Sequence, residues 1–520
     1  MDRRCSCSPL ALPLYHSTPV TSWILHLAFL TFCASLVQWL VRYVQHLRRL
    51  PPGPYGLPVI GYLPWIDPKK PHITLTNLVS KYGKIYSLKF GNLTTIVLAD
   101  PVLIREAFRK DVFSGRADLY VTHGIMEGYG LIVPEGERWK EQRQFAVSTL
   151  RDLGMVKFGA KRSHMEQRIL KGVQALFRSL DAFGGSDVDL THPLFHSVGT
   201  VMYSLVLGKT WDYDDPMWIW LREKMEEGVQ MMQVAGPINF LPWLRFIPKF
   251  RKMIEFLISG KKKEHALYEQ FFKENQEILG EADSLATAYR LEMERRQNSP
   301  QGSHSFVREQ CDHFLADLLG AGTDTTCTSI KWFLLLLVIH PQVQAEIQEE
   351  LEQLESVDGL IGLAGMEDAV LLRAAFAESM RLRPLTTLGI PHATRAATDL
   401  AQFHIPERSM VIPLLWAINM DPQLWADPLE YRPRRFIDEN GRFAKPDYFM
   451  PFQVGKRMCL GDELARMMTF LFCANVLHRY KITSPNTPEE LQNALDGDCG
   501  LLYVPKKYVL NFHIRERNVE

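Results

Sequence analysis

"FQVGKRMCLGDELAR", Phe452 to Arg466, sets one cysteine between two glycines, with two basic residues just upstream and a helix-forming run behind. Gly455 and Gly461 let the backbone turn tightly or come close to something flat and bulky. Lys456 and Arg457 supply positive charge, and the segment from about Asp462 onward reads as a helix. Cysteine is most often a small apolar residue, so a packed-away Cys459 is the plain alternative. A thiol at a helix N-terminus near cations has a depressed pKa and tends to be a thiolate. Such a thiolate is a nucleophile or a metal ligand.

The chain around this stretch has 520 residues, with 46% apolar and 23% charged residues, the composition of an ordinary globular protein. Length alone permits several domains. Basic and acidic residues balance at 59 each, which speaks against a nucleic-acid binder and leaves no global field for anionic partners. The eight cysteines form no regular disulfide framework, which fits a reducing, cytosol-facing body. Cys5 and Cys7 receive no role.

From Trp23 to Val41 runs "WILHLAFLTFCASLVQWLV", free of Asp, Glu, Lys and Arg and near the ~20 residues a helix needs to span a bilayer. A secretory signal is shorter and ends in small residues, whereas "RYVQHLRRLPPGPYG" follows here. The expected organisation is a lumenal segment at 1–22, a transmembrane anchor at 23–41, a basic and proline-rich hinge at 42–60 and one catalytic domain at 61–520. Arg42, Arg48 and Arg49 against Arg3 and Arg4 weakly favour a cytosolic body. Pro51, Pro52 and Pro54 stop the helix.

Within the body, "KIYSLKFGNLTTIVLAD" reads as two strands joined at Gly91-Asn92. Lys249 to Arg296 is charged and amphipathic, two or more surface helices, and Arg296 to Ser305 is a flexible connector. "FVREQCDHFLADLLGAGTDTTCTSIKWFLLLLVIH" is apolar nearly all round, so a helix through the protein centre is expected. The fold class is mainly α with small β-sheets.

Inside that helix sits "AGTDTT", Ala321 to Thr326, a poor choice for a buried helix interior. Threonine hydroxyls bond back to helix carbonyls and bend or open a helix locally. Two accounts stay open. In one, Asp324 is satisfied by a neighbour and Gly322 permits close packing. In the other, a widened helix lies beside a ligand while an acid and a hydroxyl relay protons. "ESMR", Glu378 to Arg381, places an acid and a base on one helix face, a spacing with no meaning by itself. It follows the apolar "AVLLRAAFA", and "YRPRRF" with Arg435 lies between it and Cys459.

Phe452, Gly455, Arg457, Cys459 and Gly461 fit Phe-x-x-Gly-x-Arg-x-Cys-x-Gly, the pattern of the cytochromes P-450, the haem-thiolate monooxygenases. "AGTDTT", "ESMR" and "PRRF" stand upstream in the family's order, with "PPGP" behind the N-terminal apolar run, so the resemblance covers essentially the whole chain. Arg434 departs from the glutamate frequent in that family. The resemblance implies the cytochrome P-450 fold and haem b (iron protoporphyrin IX), with Cys459 as axial ligand to iron. It implies that Asp324 and Thr325 deliver protons to bound O2 and that Glu378, Arg381 and Arg435 form a buried charge network. It also implies that Arg116, Trp139, Arg143, His392 and Arg457 hold the haem propionates, anions that need charge-assisted donors when buried. His392 as a satisfied structural histidine is the plain alternative.

"LYVTHGIMEGYGLIV", "GPINFLPWLRFIP" and "PLTTLGIPH" resemble the arthropod ecdysteroid 25-hydroxylase branch of the family, and "RMCLGDELARM" also resembles its 26-hydroxylase branch. This implies hydroxylation of a steroid side chain at carbon 25, with carbon 26 or another lipid or xenobiotic as alternatives. A haem-binding sensor or scaffold without turnover is the reading from another class. The implied partners are NADPH-cytochrome P-450 reductase, steered by Lys140 and Lys456, and the endoplasmic reticulum membrane.

Overall fold

The computed structural model describes residues 19–231, 235–274, 282–297 and 305–516. Residues 1–18 of the expected lumenal segment lie outside the described residues. So do Arg3, Arg4, Cys5, Cys7 and most of the connector expected between Arg296 and Ser305.

The N-terminal unit is one helix, Pro19–Arg49, which contains the whole apolar run and ends two residues before Pro51. Trp23, Leu27, Phe29, Leu30 and Phe32 are exposed on it. Among the described residues, no single helix is long and apolar enough to cross a membrane. Thr31 turns its hydroxyl back onto the Leu27 and Ala28 carbonyls.

The second unit begins at Pro52, so residues 52–60 of the expected hinge pack with the body. Ser87 N donates to Pro52 O at 2.9 Å and Tyr62 N to Lys89 O at 2.7 Å, which ties this segment to the first strand. That strand, Ile85–Phe90, pairs antiparallel with Leu93–Leu98, and Phe90 faces Leu93 across the Gly91-Asn92 turn. The sheet then runs through Met410–Pro413, His392–Ala393 and Gly115–Arg116. Only the contact of Leu93–Leu98 with Met410–Pro413 is parallel. The last pairing sets Arg116 directly opposite His392, residues far apart in sequence.

The rest is helical. The charged amphipathic stretch forms Pro248–Glu274 and Leu285–Gln297. The central helix Arg308–Ile339 is continuous over 32 residues. It packs against the helices Thr191–Val206, Val370–Leu382 and Asp462–Arg479. An almost entirely apolar circumference demands burial on every side, and Phe314, Leu315, Phe333, Leu335 and Leu337 have no exposed surface. The cysteine loop feeds Asp462–Arg479, whose first turn holds Asp462 and Glu463 and whose last turn holds His478 and Arg479. That order of charge complements the helix dipole.

Candidate active site

The cysteine loop is closed by two backbone bonds, Cys459 N to Phe452 O at 3.0 Å and Met458 N to Gly455 O at 3.2 Å. Gly455 has φ 80°, and a Cβ there would lie 2.1 Å from Phe108 O. No other residue fits, because both the dihedral and the backbone contact forbid a side chain. Gly461 is different: its φ is −97°, and a Cβ would meet nothing within 4 Å. That glycine leaves room beside the cysteine and makes no tight turn.

Cys459 opens to solvent on its free side while dense protein backs it on the other. Burial is the largest influence and raises its pKa, and Asp462 adds to this; the Gly461 N–H and Arg143 pull it down. The expectation of a thiol depressed by the helix start and neighbouring cations is therefore corrected. Desolvation of the charged form outweighs both. A coordinated metal deprotonates a thiol outright, so metal binding is the route to thiolate here.

Three guanidiniums converge nearby. Arg116 Nε donates to Ile132 O at 3.0 Å and Nη1 to Ile390 O at 3.3 Å. Arg457 donates to Ser114 O at 2.8 Å, Pro134 O at 2.5 Å and Ile132 O at 3.5 Å. Arg143 Nη2 donates to Met458 O at 2.7 Å, and the Arg457 guanidinium lies 4.0 Å over the Trp139 ring. None of these hydrogen bonds ends on a carboxylate. Glu135, the nearest acid, accepts from Arg116 N and from Arg408 instead. Burial first, then mutual repulsion, pushes Arg457 down to about 8 and Arg116 down to about 10. Buried cations in this state call for an anion. That excess of donors, together with the open space at Gly461 and the thiol, fits a planar dianionic metal cofactor of the haem type.

His392 is committed elsewhere. Its Nδ1 lies 2.8 Å from Phe113 O and its Nε2 3.2 Å from Gln453 Oε1, and the ring stacks on Phe108 at 3.7 Å. Burial and Arg116 hold its pKa down to about 3, so it is neutral. Gln453, with φ 58° in the cysteine loop, was not singled out by sequence because no local pattern marks it.

On the central helix, Ala316, Asp317, Gly320, Ala321, Asp324 and Thr325 form a stripe that stays at least partly open. Thr325 Oγ1 donates to Ala321 O at 2.6 Å and Thr326 Oγ1 to Gly322 O at 2.7 Å. The helix nevertheless continues without a break, so of the two accounts of this segment the locally widened helix is not what the structure shows. Gly322 is a packing glycine, since a Cβ there would sit 2.2 Å from Met202 Cε. Asp317 was also missed by sequence reading. Its Oδ2 accepts from Leu131 N at 2.6 Å and Ile132 N at 2.9 Å, and burial raises it to about 6. One residue, Ile132, thus links the central helix to the cations, because its N–H meets Asp317 and its carbonyl faces Arg116 and Arg457.

Glu378 and Arg381 are both 0% exposed and meet through two bonds, 2.7 and 2.9 Å. Arg435 Nε reaches Glu378 Oε1 at 3.0 Å and Arg432 N reaches it at 2.9 Å. Arg381 spends its other donors on the carbonyls of Asn419, Pro428 and Glu430. Arg434 stays on the surface, paired with Glu346 at 2.7 Å. The two lysines read as steering charges carry acidic partners, Glu137 on Lys140 at 2.6 Å and Asp111 on Lys456 at 2.8 Å.

Residues 51–512 match the family described as Cytochrome P450. The chain is 36% identical over 516 residues to cytochrome P450 306a1 of Drosophila melanogaster, covering 89% of this chain and 88% of that protein. It is 32% identical over 480 residues to cytochrome P450 18a1 of the same species, with coverage of 91% and 88%. To cytochrome P450 2B4 of Oryctolagus cuniculus it is 31% identical over 495 residues, with coverage of 94% and 99%. With a loop cysteine, buried cations lacking an acid and a helix-long open stripe in one body, the chain belongs to the cytochrome P450 family, haem-thiolate monooxygenases that carry iron protoporphyrin IX.

Proposed function

We propose that this protein hydroxylates the side chain of an ecdysteroid precursor at carbon 25, converting a ketodiol to a ketotriol. One oxygen atom of O2 enters the C–H bond and the other leaves as water, with electrons from NADPH passed on by NADPH-cytochrome P-450 reductase. The observation that carries the reading is the thiol of Cys459 set beside a buried cation cluster that lacks a carboxylate. Support for the substrate class comes from the stretches Leu119 to Val133, Gly236 to Pro248 and Pro384 to His392, which resemble the ecdysteroid hydroxylases. Leu119, Val121, Ile125, Leu131 and Ile238 are buried apolar residues within them. Apolar side chains in such stretches suit contact with a sterol skeleton.

In this assignment Cys459 would hold the haem iron through its sulfur, and a thiolate there would supply the electron density that favours O–O cleavage. Arg116, Arg143 and Arg457 neutralise the propionates, with Trp139 as a stacking floor for Arg457. His392 holds the strand pairing at Arg116 through Phe113 O, and with its Nδ1–H committed there its Nε2 donates to a propionate only when the ring is protonated. Thr325 and Asp324 hold and pass protons at the open face of the central helix. Glu378, Arg381 and Arg435 lock the helix Val370–Leu382 to the loop that precedes the cysteine segment. The Pro19–Arg49 helix, with its exposed apolar side chains, attaches the body to the endoplasmic reticulum membrane.

The test supplies labelled ketodiol to membranes containing the protein and the reductase, and identifies the product. The expected product carries its new hydroxyl at carbon 25. Oxidation at carbon 26 assigns the alternative regiochemistry, and haem binding with no sterol turnover discards the substrate class. Reduced protein exposed to carbon monoxide should show the red-shifted absorbance of sulfur-ligated haem; its absence removes Cys459 as ligand.

A further inference from the structure

Two side chains of the central helix reach the same short loop. Gln310 and Asp317 stand about two turns apart and so share one face of Arg308–Ile339. Gln310 accepts from Gly130 N at 3.2 Å through Oε1 and donates from Nε2 to Gly130 O at 2.5 Å. Asp317 takes the next two amides, Leu131 N at 2.6 Å and Ile132 N at 2.9 Å, both on Oδ2. Three consecutive N–H groups of the loop therefore end on the helix. Gly130, with φ 96°, lets the backbone come this close: a Cβ there would lie 2.3 Å from Asp317 Oδ2. The Ile132 carbonyl in turn accepts from Arg116 Nε at 3.0 Å and from Arg457 Nη1 at 3.5 Å. Asp317 also belongs to the open stripe that carries Asp324 and Thr325, so a proton-carrying role is the rival reading.

We propose that Asp317 is a positioning residue: by tying the Leu131 and Ile132 amides to the central helix it holds the Ile132 carbonyl against Arg116 and Arg457, and so sets how tightly the anionic edge of haem is retained. The proposal rests on the assignment of Arg116 and Arg457 to the propionates. Without Asp317 the loop keeps only its Gln310 bonds, and two amides lose their acceptor. A donor left unpaired away from water is costly, so the loop shifts to find one and Ile132 O leaves the guanidiniums. Arginine grips a carboxylate through directed bonds, and a guanidinium with one carbonyl fewer is less fixed in direction. What this role requires is an acceptor at the place of Oδ2, not a charge. One oxygen serves both amides, and burial opposes ionisation of Asp317. Asparagine presents such an oxygen at the same reach. Glutamate keeps the charge but is one methylene longer, and Gly130 already stands against Oδ2.

The experiment uses the full-length, haem-loaded protein and reads haem loss as transfer to an excess of apomyoglobin. Asp317→Ala should lose haem about tenfold faster, while Asp317→Asn should stay within about threefold of wild type. Equal acceleration by the two variants, or none by Asp317→Ala, overturns the proposal; the first result would mean that the charge matters. Double-mutant cycles then trace the path. Arg116→Lys removes the Nε that meets Ile132 O, so adding Asp317→Ala to it should speed haem loss little further. Arg143→Lys acts at Met458 O instead, and its effect should add to that of Asp317→Ala nearly in full. A general weakening of the structure would add in both cycles, and that result also overturns the proposal. Should Arg116→Lys and Arg457→Lys both leave haem loss unchanged, the propionate assignment falls and takes this one with it. If Asp317→Ala takes up no haem, Asp317→Glu decides: it should lose haem faster than Asp317→Asn, and the reverse order refutes the role.

Discussion

Replacing Glu378 with glutamine should unlock the buried charge network while barely changing its volume. The carboxylate takes two bonds from Arg381, one from Arg435 and one from Arg432 N. Glutamine removes the charge and turns one acceptor into an NH2 that faces guanidinium N–H groups. Arg381 has no exposed surface, so its cation cannot recover the loss by turning to water. Breaking one side of a fully buried ion pair costs about 3–5 kcal/mol. The carbonyls of Asn419, Pro428 and Glu430 still hold Arg381, which places the expected loss toward the lower part of that range. Each kcal/mol moves the midpoint about 2–4 °C in chains of 150–250 residues and less in a larger body, so a drop of several degrees is expected. The assay is thermal unfolding of the haem-loaded protein at a fixed scan rate, followed together with haem release. Arg381→Lys should lose almost as much, because a single ammonium cannot reproduce five directed bonds. If Glu378→Gln unfolds within a degree of wild type, the network does not stabilise the core and the reasoning fails.

The remaining predictions concern the site itself. His392 has its pKa depressed from 6.5 to about 3 on folding, so the unfolded chain binds the extra proton between those values and stability falls as pH drops below 6.5. At pH 5 the loss is ~2 kcal/mol, and His392→Gln should remove it in paired unfolding measurements at pH 5 and 7. An identical pH response in the variant refutes this. Gly455→Ala forces a side chain into Phe108 O and into a positive φ, and should cost at least about 2 kcal/mol and reduce haem content on purification. Thr325→Ala should keep haem but release reducing equivalents as peroxide, read as NADPH consumed per product formed; unchanged coupling removes Thr325 from the proton path.

Much of this was legible locally. The Gly91-Asn92 turn, the apolar circumference of Arg308–Ile339 and the loop around Cys459 are written in patterns a few residues long. Such patterns act through backbone geometry and helix periodicity, which neighbours in sequence control. Glu378 and Arg381 share a helix face by spacing alone, whereas Arg435 joins them only when the loop from Asn419 to Arg435 folds back. The apolar run at 23–41 also read correctly as helical, inside Pro19–Arg49.

What the amino-acid order determined by itself was the family, the cysteine loop and the helical character of the body, because short-range rules of spacing, charge and hydropathy decide them. Only the tertiary structure decided that the free thiol is raised and not lowered, that three arginines crowd with no carboxylate among their side-chain hydrogen-bond acceptors, and that both nitrogens of His392 lie against oxygens. It alone brought Asp317 to Leu131 and Ile132. The physical reason is common to all of these. Desolvation and hydrogen-bond satisfaction depend on what packs around a group, and those partners come from segments hundreds of residues away along the chain.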